Sequence, residues 1–183
     1  MRLLAFLQSE RDKLSALPTV TQMNDTNGYA VHIDSSTKTV GEITVPDGVL
    51  TQITNDGATF YDHLPSSGHD FVNGMGDAVF DQENALYSIG VRMQIAPTVR
   101  DKRFVWRFIA VDGAGPGNDI EVYSRGDRFA KQLEDEDRSI SFTLPCLASI
   151  VNKPISVFIE TEDTDAIIWG QELYVSKLNG PIV

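Results

Sequence analysis

Between Ser139 and Leu178 apolar and polar side chains alternate in three successive runs, separated only by short turn-like breaks. Ile140, Phe142, Leu144 and Cys146 take the even positions and Ser139, Ser141 and Thr143 the odd ones, which is the two-residue period of a half-buried strand. Ile155, Val157 and Ile159 repeat the pattern. Ile167, Trp169, Leu173 and Val175 share one parity against Gly170, Glu172 and Ser176, predicting a closing strand that turns those four toward the core. Upstream, Tyr87, Ile89, Val91, Met93 and Ile95 form one apolar face opposite Ser88, Gly90, Arg92 and Gln94, so that strand can show its other side to water. Phe104, Trp106 and Phe108 line one face of a further run, while Val105, Ile109 and Val111 mix with Arg103 and Arg107 on the other. A strand apolar on both sides needs a second cover from a loop, the N-terminal segment or a neighbouring subunit, and a subunit interface is the favoured one.

The alternation predicts strands over Tyr29–Ile33, Thr39–Val45, Val49–Thr54, Ala58–Asp62, Leu86–Ile95, Phe104–Val111, Ile120–Tyr123, Ile140–Leu144, Ile155–Glu160 and Ile167–Val175. Asn27-Gly28, Asp47-Gly48, Asp56-Gly57, Asn73-Gly74, Asp112-Gly113 and Asn179-Gly180 punctuate them with the dipeptide that tolerates positive φ in tight turns. No helical period intervenes after residue 28. The expected fold class is therefore all-β, an antiparallel jelly-roll sandwich over residues 29–183. Its longest polar insertions, Pro65–Gly76, Asp112–Asn118 and Ser124–Arg138, belong at the ends of the sandwich, where loops are free to carry recognition.

Residues 1–18 follow another rule. Leu3, Leu7, Leu14 and Leu17 are spaced like a heptad seam with Glu10 in the missing seat, and Pro18 ends the run. This predicts a short N-terminal helical arm, joined by a polar linker over 19–28. So short a helix is marginal alone in water and must dock, on its own domain or on a neighbour.

Composition narrows the class. A chain of 183 residues, 42% hydrophobic, can bury roughly 70% of the surface its unfolded form exposes. The single Cys146 cannot form an internal disulfide, and its place in an apolar alternation predicts a buried thiol. Fifteen basic against 26 acidic residues give a net charge of −11, which repels phosphate backbones, so no nucleic-acid partner is expected. Arg2–Leu7 is too short an apolar run for an export signal, and no run reaches the ~20 apolar residues of a membrane span, so no membrane partner is expected either.

Candidate chemistry is sparse. Asp62, His63, His69 and Asp70 combine imidazole and carboxylate, the donor set of a zinc site, but no third ligand falls at a recurrent interval, and a solvated loop is the simpler reading. Asp112–Asp119 lacks both the alternating acids of an EF-hand and the Gly-Lys-Ser/Thr ending of a phosphate loop. Glu134–Asp137 is the densest charge run and reads as a solvated loop. His32, between Val31 and Ile33, reads as hydrogen-bonded rather than catalytic. With no nucleophile elbow and no diagnostic carboxylate pair, an enzyme is not expected, nor a metal or cofactor.

Phe80-Asp81-Gln82-Glu83-Asn84-Ala85-Leu86-Tyr87, leading into an alternating strand, resembles the corresponding turn of C1q/TNF-like jelly rolls. The ending Ile167-Ile168-Trp169-Gly170-Gln171-Glu172-Leu173-Tyr174-Val175 is similar to that family's last strand. The resemblance implies a homotrimer. Jelly-roll trimers of this kind also serve as tailed-bacteriophage head decoration (cement) proteins and as fibre heads, and the short arm, acidic body and absent disulfides look similar to the decoration class. The expectation is a structural virion protein, made in the host cytoplasm and bound to the major capsid protein on the capsid surface. Leu3, Leu4, Phe6, Leu7, Leu14 and Leu17 would supply capsid or subunit contacts, with Phe104 and Trp106. The alternative is a receptor- or glycan-binding head whose loops would present exposed aromatics such as Phe71 and Phe129.

Overall fold

The computed structural model describes residues 28–53, 57–63, 71–113, 118–130 and 134–179. These form eleven strands: β1 (Gly28–Ile33), β2 (Ile43–Val45), β3 (Thr51–Gln52), β4 (Ala58–His63), β5 (Ala78–Val79), β6 (Leu86–Pro97), β7 (Arg103–Ala110), β8 (Ile120–Arg128), β9 (Glu136–Pro145), β10 (Pro154–Glu162) and β11 (Ala166–Asn179). One sheet runs β4-β1-β11-β6-β9, with β2 pairing the first residues of β11 beyond the end of β1. The second runs β3-β10-β7-β8, with β5 also on β10. Every strand-to-strand ladder is antiparallel. The fold is a jelly-roll sandwich, as the alternation predicts. The N-terminal arm and most of its linker lie outside the described residues, and among the described ones no helix is long and apolar enough to cross a membrane.

The core is the space between the sheets. Tyr87, Ile89, Val91, Met93 and Ile95 from β6 face Phe104, Trp106 and Phe108 from β7 and Ile155, Val157 and Ile159 from β10, all buried. Aromatic rings close both ends and one side. Phe104 stacks on Phe129 at 4.6 Å, Phe80 on Tyr87 at 4.1 Å, and Tyr123 on Phe142 at 4.0 Å, joining β8 to β9 across the sheets. Each offset pair adds about 1 kcal/mol beyond the area it hides.

Three sequence expectations need correction. Phe104 and Trp106, expected at a contact, are 0% and 1% exposed, because their face of β7 is the one that meets β6 and β11; the opposite face, with Val105, Arg107 and Ile109, is only half-buried. The polar stretch Ser124–Arg138 is not one long loop, since β8 continues to Arg128 in register with β7 and β9 begins at Glu136. An edge strand can carry Ser124, Arg125 and Asp127 because one of its flanks meets water.

The third concerns β11. Ile167 and Trp169 do not share a face with Leu173 and Val175. Trp169 is opposite Gln94 and Glu172 is opposite Arg92, so three residues of β11 advance while two of β6 do. This is a β-bulge, and its extra residue shifts every later side chain to the other face. Ile168 is therefore the core residue before the bulge, with Leu173 and Val175 after it, and Trp169 turns outward beneath the Lys38 ammonium, 5.5 Å from its ring centre. Gly170 supplies the conformation, with φ of 60°. The segment after β1 clamps it: Gly170 N–H donates to Ser36 Oγ at 3.0 Å, and Asp34 N–H donates to the Gln171 carbonyl at 2.8 Å.

A Cβ at residue 170 would meet only open space and the Ser36 carbonyl at 3.8 Å, so the cost of Gly170→Ala is conformational alone. The expected destabilisation is about 1–2 kcal/mol, measured by urea unfolding; Gly170→Asn should cost less, because Asn tolerates this region.

Candidate functional site

The outer face of the β4-β1-β11-β6-β9 sheet is the surface whose chemistry the strand pairing lays out most directly. Register sets three cross-strand rows: Tyr29, Ser176, Ser88 and Thr143; Val31, Tyr174, Gly90 and Ser141; Ile33, Glu172, Arg92 and Ser139. The face is graded as a result. Its β1 side is an apolar strip, with Tyr29 36%, Ile33 38% and, at the end of β11, Leu178 46% exposed, beside half-buried Val31 and Tyr174. Its β6–β9 side is made of hydroxyls. Because Gly90 has no side chain, an open trough of about 700 Å3 runs there, lined by Arg92, Arg125, Ser139, Ser141 and Tyr174.

Charge holds the middle of this face together. The Arg92 guanidinium meets Asp137 at 2.6 Å and Glu172 at 3.9 Å, and Tyr174 donates its hydroxyl proton to Glu172. Hydrogen bonding to Arg92 keeps the Asp137 carboxyl below its usual range, and the bond to Glu172, helped by burial, pushes the Tyr174 hydroxyl up to about 12. The other outer face, on the second sheet, is also a paired ladder: Arg107 bridges Glu160 and Glu121, each at 2.8 Å, and Arg103 meets Glu162 at 3.2 Å. The Arg107 bond lowers Glu121 and raises Arg107.

The acidic run Glu134–Asp137 is not a solvated loop throughout. Asp135 pairs with Lys38 at 2.5 Å and Asp137 with Arg92, while Glu136 is buried against Arg138, whose guanidinium also donates to the Arg128 carbonyl at 2.9 Å. Alternation places Glu136 on the inward side of β9, and Arg138 on the same side neutralises it.

Two buried polar groups have structural roles. His32 Nε2 accepts the Gly57 N–H at 3.0 Å, and a Cβ on residue 57 would come within 2.2 Å of the Ile33 carbonyl, so glycine is required for the chain to approach β1 there. Lys177 reaches Asp81 at 3.1 Å with its side chain only 4% exposed, and Asp81 also accepts the Tyr87 hydroxyl proton. Burial, then Asp81, pushes the Tyr87 hydroxyl far up. Cys146 is buried, as expected, and desolvation pushes its thiol up to about 11, so it stays protonated at neutral pH.

Of the remaining sequence candidates, Leu3, Leu4, Phe6, Leu7, Leu14 and Leu17 lie outside the described residues, as do His69 and Asp70, and the side chains of Asp62 and His63 are not described. No group of three metal-ligating side chains occurs among the described residues. Phe71 and Phe129, the loop aromatics of the recognition reading, are both buried. At the loop end of the first sheet, a second trough of about 630 Å3 is lined by apolar Ala96, Ala166 and Ile167, with Lys38, Thr44 and Asp165 beside them. Sequence alternation hid it, because only the bulge puts Ile167 outside.

No family model and no curated protein matches the chain. Among solved structures it is similar to Eiger TNF from S. frugiperda, at 10% identity over 85% of this chain and 96% of that one, with a TM-score of 0.51. It is also similar to the vertex protein P5 of PRD1 (16% identity, 82% and 73% of the two chains, TM-score 0.49) and to murine APRIL (11%, 82% and 99%, TM-score 0.46). At such identity the likeness to Eiger shows the fold alone, a jelly-roll sandwich.

Two outcomes are expected. Lys177→Met leaves Asp81 buried without its cation and should cost about 3 kcal/mol in urea unfolding. Glu121 and Asp137 have depressed folded-state pKa values, so the stability they contribute is present above the ordinary carboxylate range, near pH 4, and is lost as pH falls through the depressed folded values. Because these pairs are substantially exposed, Arg107→Ala should cost only about 0.5 kcal/mol at pH 7 and should flatten the acid limb of a melting-temperature profile.

Proposed function

We propose that this chain is a capsid decoration (cement) protein, a structural virion component that binds the outside of a phage head as a threefold set of copies on the major capsid protein. The observation that carries the reading is the apolar strip of exposed Tyr29, Ile33 and Leu178 with half-buried Val31, on a sheet face otherwise rich in hydroxyls and paired charges. A surface of that kind fits against protein and calls for no chemistry. The contact expected of Phe104 and Trp106 moves to this strip, where the association implied by the C1q/TNF-like resemblance has apolar surface to hide.

Attachment in this reading is by the arm. Leu3, Leu4, Phe6, Leu7, Leu14 and Leu17 bury their side chains across neighbouring capsid subunits. Threefold symmetry multiplies modest single contacts, since once one copy binds the next arms act at millimolar effective concentration. The receptor- or glycan-binding alternative is favoured only by the loop-end trough over Ala96 and Ile167, and the burial of Phe71 and Phe129 weighs against it.

Removing residues 1–17 separates the two. Co-sedimentation with phage heads stripped of decoration should drop at least tenfold for the shortened chain, with its thermal melt unchanged. Attachment that survives the truncation overturns the arm as the anchor.

A further inference from the structure

Strand β9 closes one end of the first sheet, and no described strand pairs with its outer edge. We propose that this edge joins the same edge of a second copy, antiparallel, about a two-fold axis through Phe142, so that the first sheets of two molecules run on as one. The contact is separate from the β1 strip, because β11 and β6 stand between β1 and β9 and hold them roughly 14 Å apart.

The ladder shows which backbone groups are on offer. Cys146 N–H donates to the Ala85 carbonyl at 2.8 Å, continuing the register of Leu86 with Pro145. Antiparallel pairing alternates, so Ile140, Phe142 and Leu144 turn their N–H and C=O toward β6, while Ser139, Ser141 and Thr143 turn theirs outward. Pro145, which has no N–H, falls at an outward position, where the ladder asks for none. No described residue bonds to the outward groups of the three hydroxyl residues.

Such edges are normally blunted by charge, a bulge or brevity. β8, the other long edge whose side chains are described, has a register shift between Phe108 and Ile109 and carries Glu121, Arg125, Asp127 and Arg128. β9 pairs with β6 over ten consecutive residues without a shift, and from Ser139 to Pro145 it has no charge.

The same stretch identifies its occupant. Ser139, Ser141 and Thr143 are exposed on one face, with Phe142 and Leu144 half-buried and Ile140 buried on the other. An incoming strand must match it with hydroxyls on one face, apolar side chains on the other and no charge, and β9 itself is such a strand. With the axis at Phe142, Ser141 meets Thr143 of the second copy, Ile140 meets Leu144, and Phe142 meets its counterpart. Each outward N–H then donates to a carbonyl of the other copy. The two Asp137 carboxylates end about 33 Å apart along the joined strands, well beyond the screening length of about 10 Å. Two molecules of net −11 therefore meet here without opposing carboxylates on the strand pair.

Charge on the neighbouring strand agrees. Tyr123 stacks on Phe142 and Asp127 pairs with Arg138 at 3.6 Å, so β8 runs antiparallel over β9 and the axis passes Tyr123 as well. Residue 125 of one copy is thereby brought toward residue 121 of the other. Arg125, beside Ser139 and Ser141, is the one lysine or arginine among the described residues with no hydrogen bond or ion pair of its own. Glu121 of the second copy, already drawn to Arg107, supplies the acid.

The test uses the full chain carrying Ile33→Asp, which silences the β1 strip, so its outcome is independent of the decoration reading and of the arm. Light scattering against concentration should show a monomer–dimer equilibrium. Ser141→Pro removes an outward N–H and no bond to β6, and should weaken the dimer at least tenfold at an unchanged melting temperature. Thr143→Lys, which puts a charge on the joined stretch, should do the same and covers the case of a proline variant that fails to fold. Amide exchange gives a second reading: Ser139, Ser141 and Thr143 should exchange at least tenfold more slowly at high protein concentration than at low, while Ile140, Phe142 and Leu144, bonded to β6, exchange slowly at both. A monomer with fast exchange at every concentration overturns the proposal and leaves the edge to an unlike strand. Protection independent of concentration also overturns it, by placing a segment of the same chain there, and so does a dimer that neither variant weakens.

Discussion

The two sheets must present uninterrupted apolar rows to each other, and almost every other feature of the molecule follows from that demand. Burying the β7 aromatics against β6 and β10 removes them from any surface role. Each long side chain enclosed this way is worth about 1.5–3 kcal/mol, so the core outweighs the scattered surface ion pairs. Two of the buried charges bring a counter-ion. Glu136 carries Arg138 with it, and Lys177 carries Asp81.

Much of this was legible in the sequence because a strand period of two is hard to imitate. Each of the ten runs where alternation puts a strand holds one, and Tyr87 to Ile95 keep their predicted faces. The failures share a cause. Alternation reads parity but not where parity is broken, so the extra residue at Gly170 reversed Ile167 and Trp169 unseen. It also reads hydrophobicity but not partnership, so Ser124–Arg128 passed for a loop although pairing with β7 makes it a strand. The two-residue β5 is too short to show any period.

Surface chemistry was less legible, for a different reason. Pairs such as Arg92 with Asp137 and Arg107 with Glu160 are 45 and 53 residues apart, and only the register of neighbouring strands brings them together. The apolar strip was hidden in the same way. Tyr29, Val31 and Ile33 look like any half-buried strand until β11 shows which side is in. Once that side is known, His32 becomes the inward residue and the aliphatic side chains become the outward ones, an inversion of the usual arrangement.

The bulge in β11 also divides the molecule's two indoles between unlike surroundings. Trp106 is enclosed between the sheets beside Phe104, while Trp169 sits under a cation at the rim, over the segment that holds Gly170. Ultraviolet emission from this protein is thus two signals in one spectrum. Trp106 emission follows the integrity of the interior, while Trp169, 8% exposed in the intact fold, gains iodide quenching only as the loop end loosens, so that partial melting at one rim can be told from collapse of the whole.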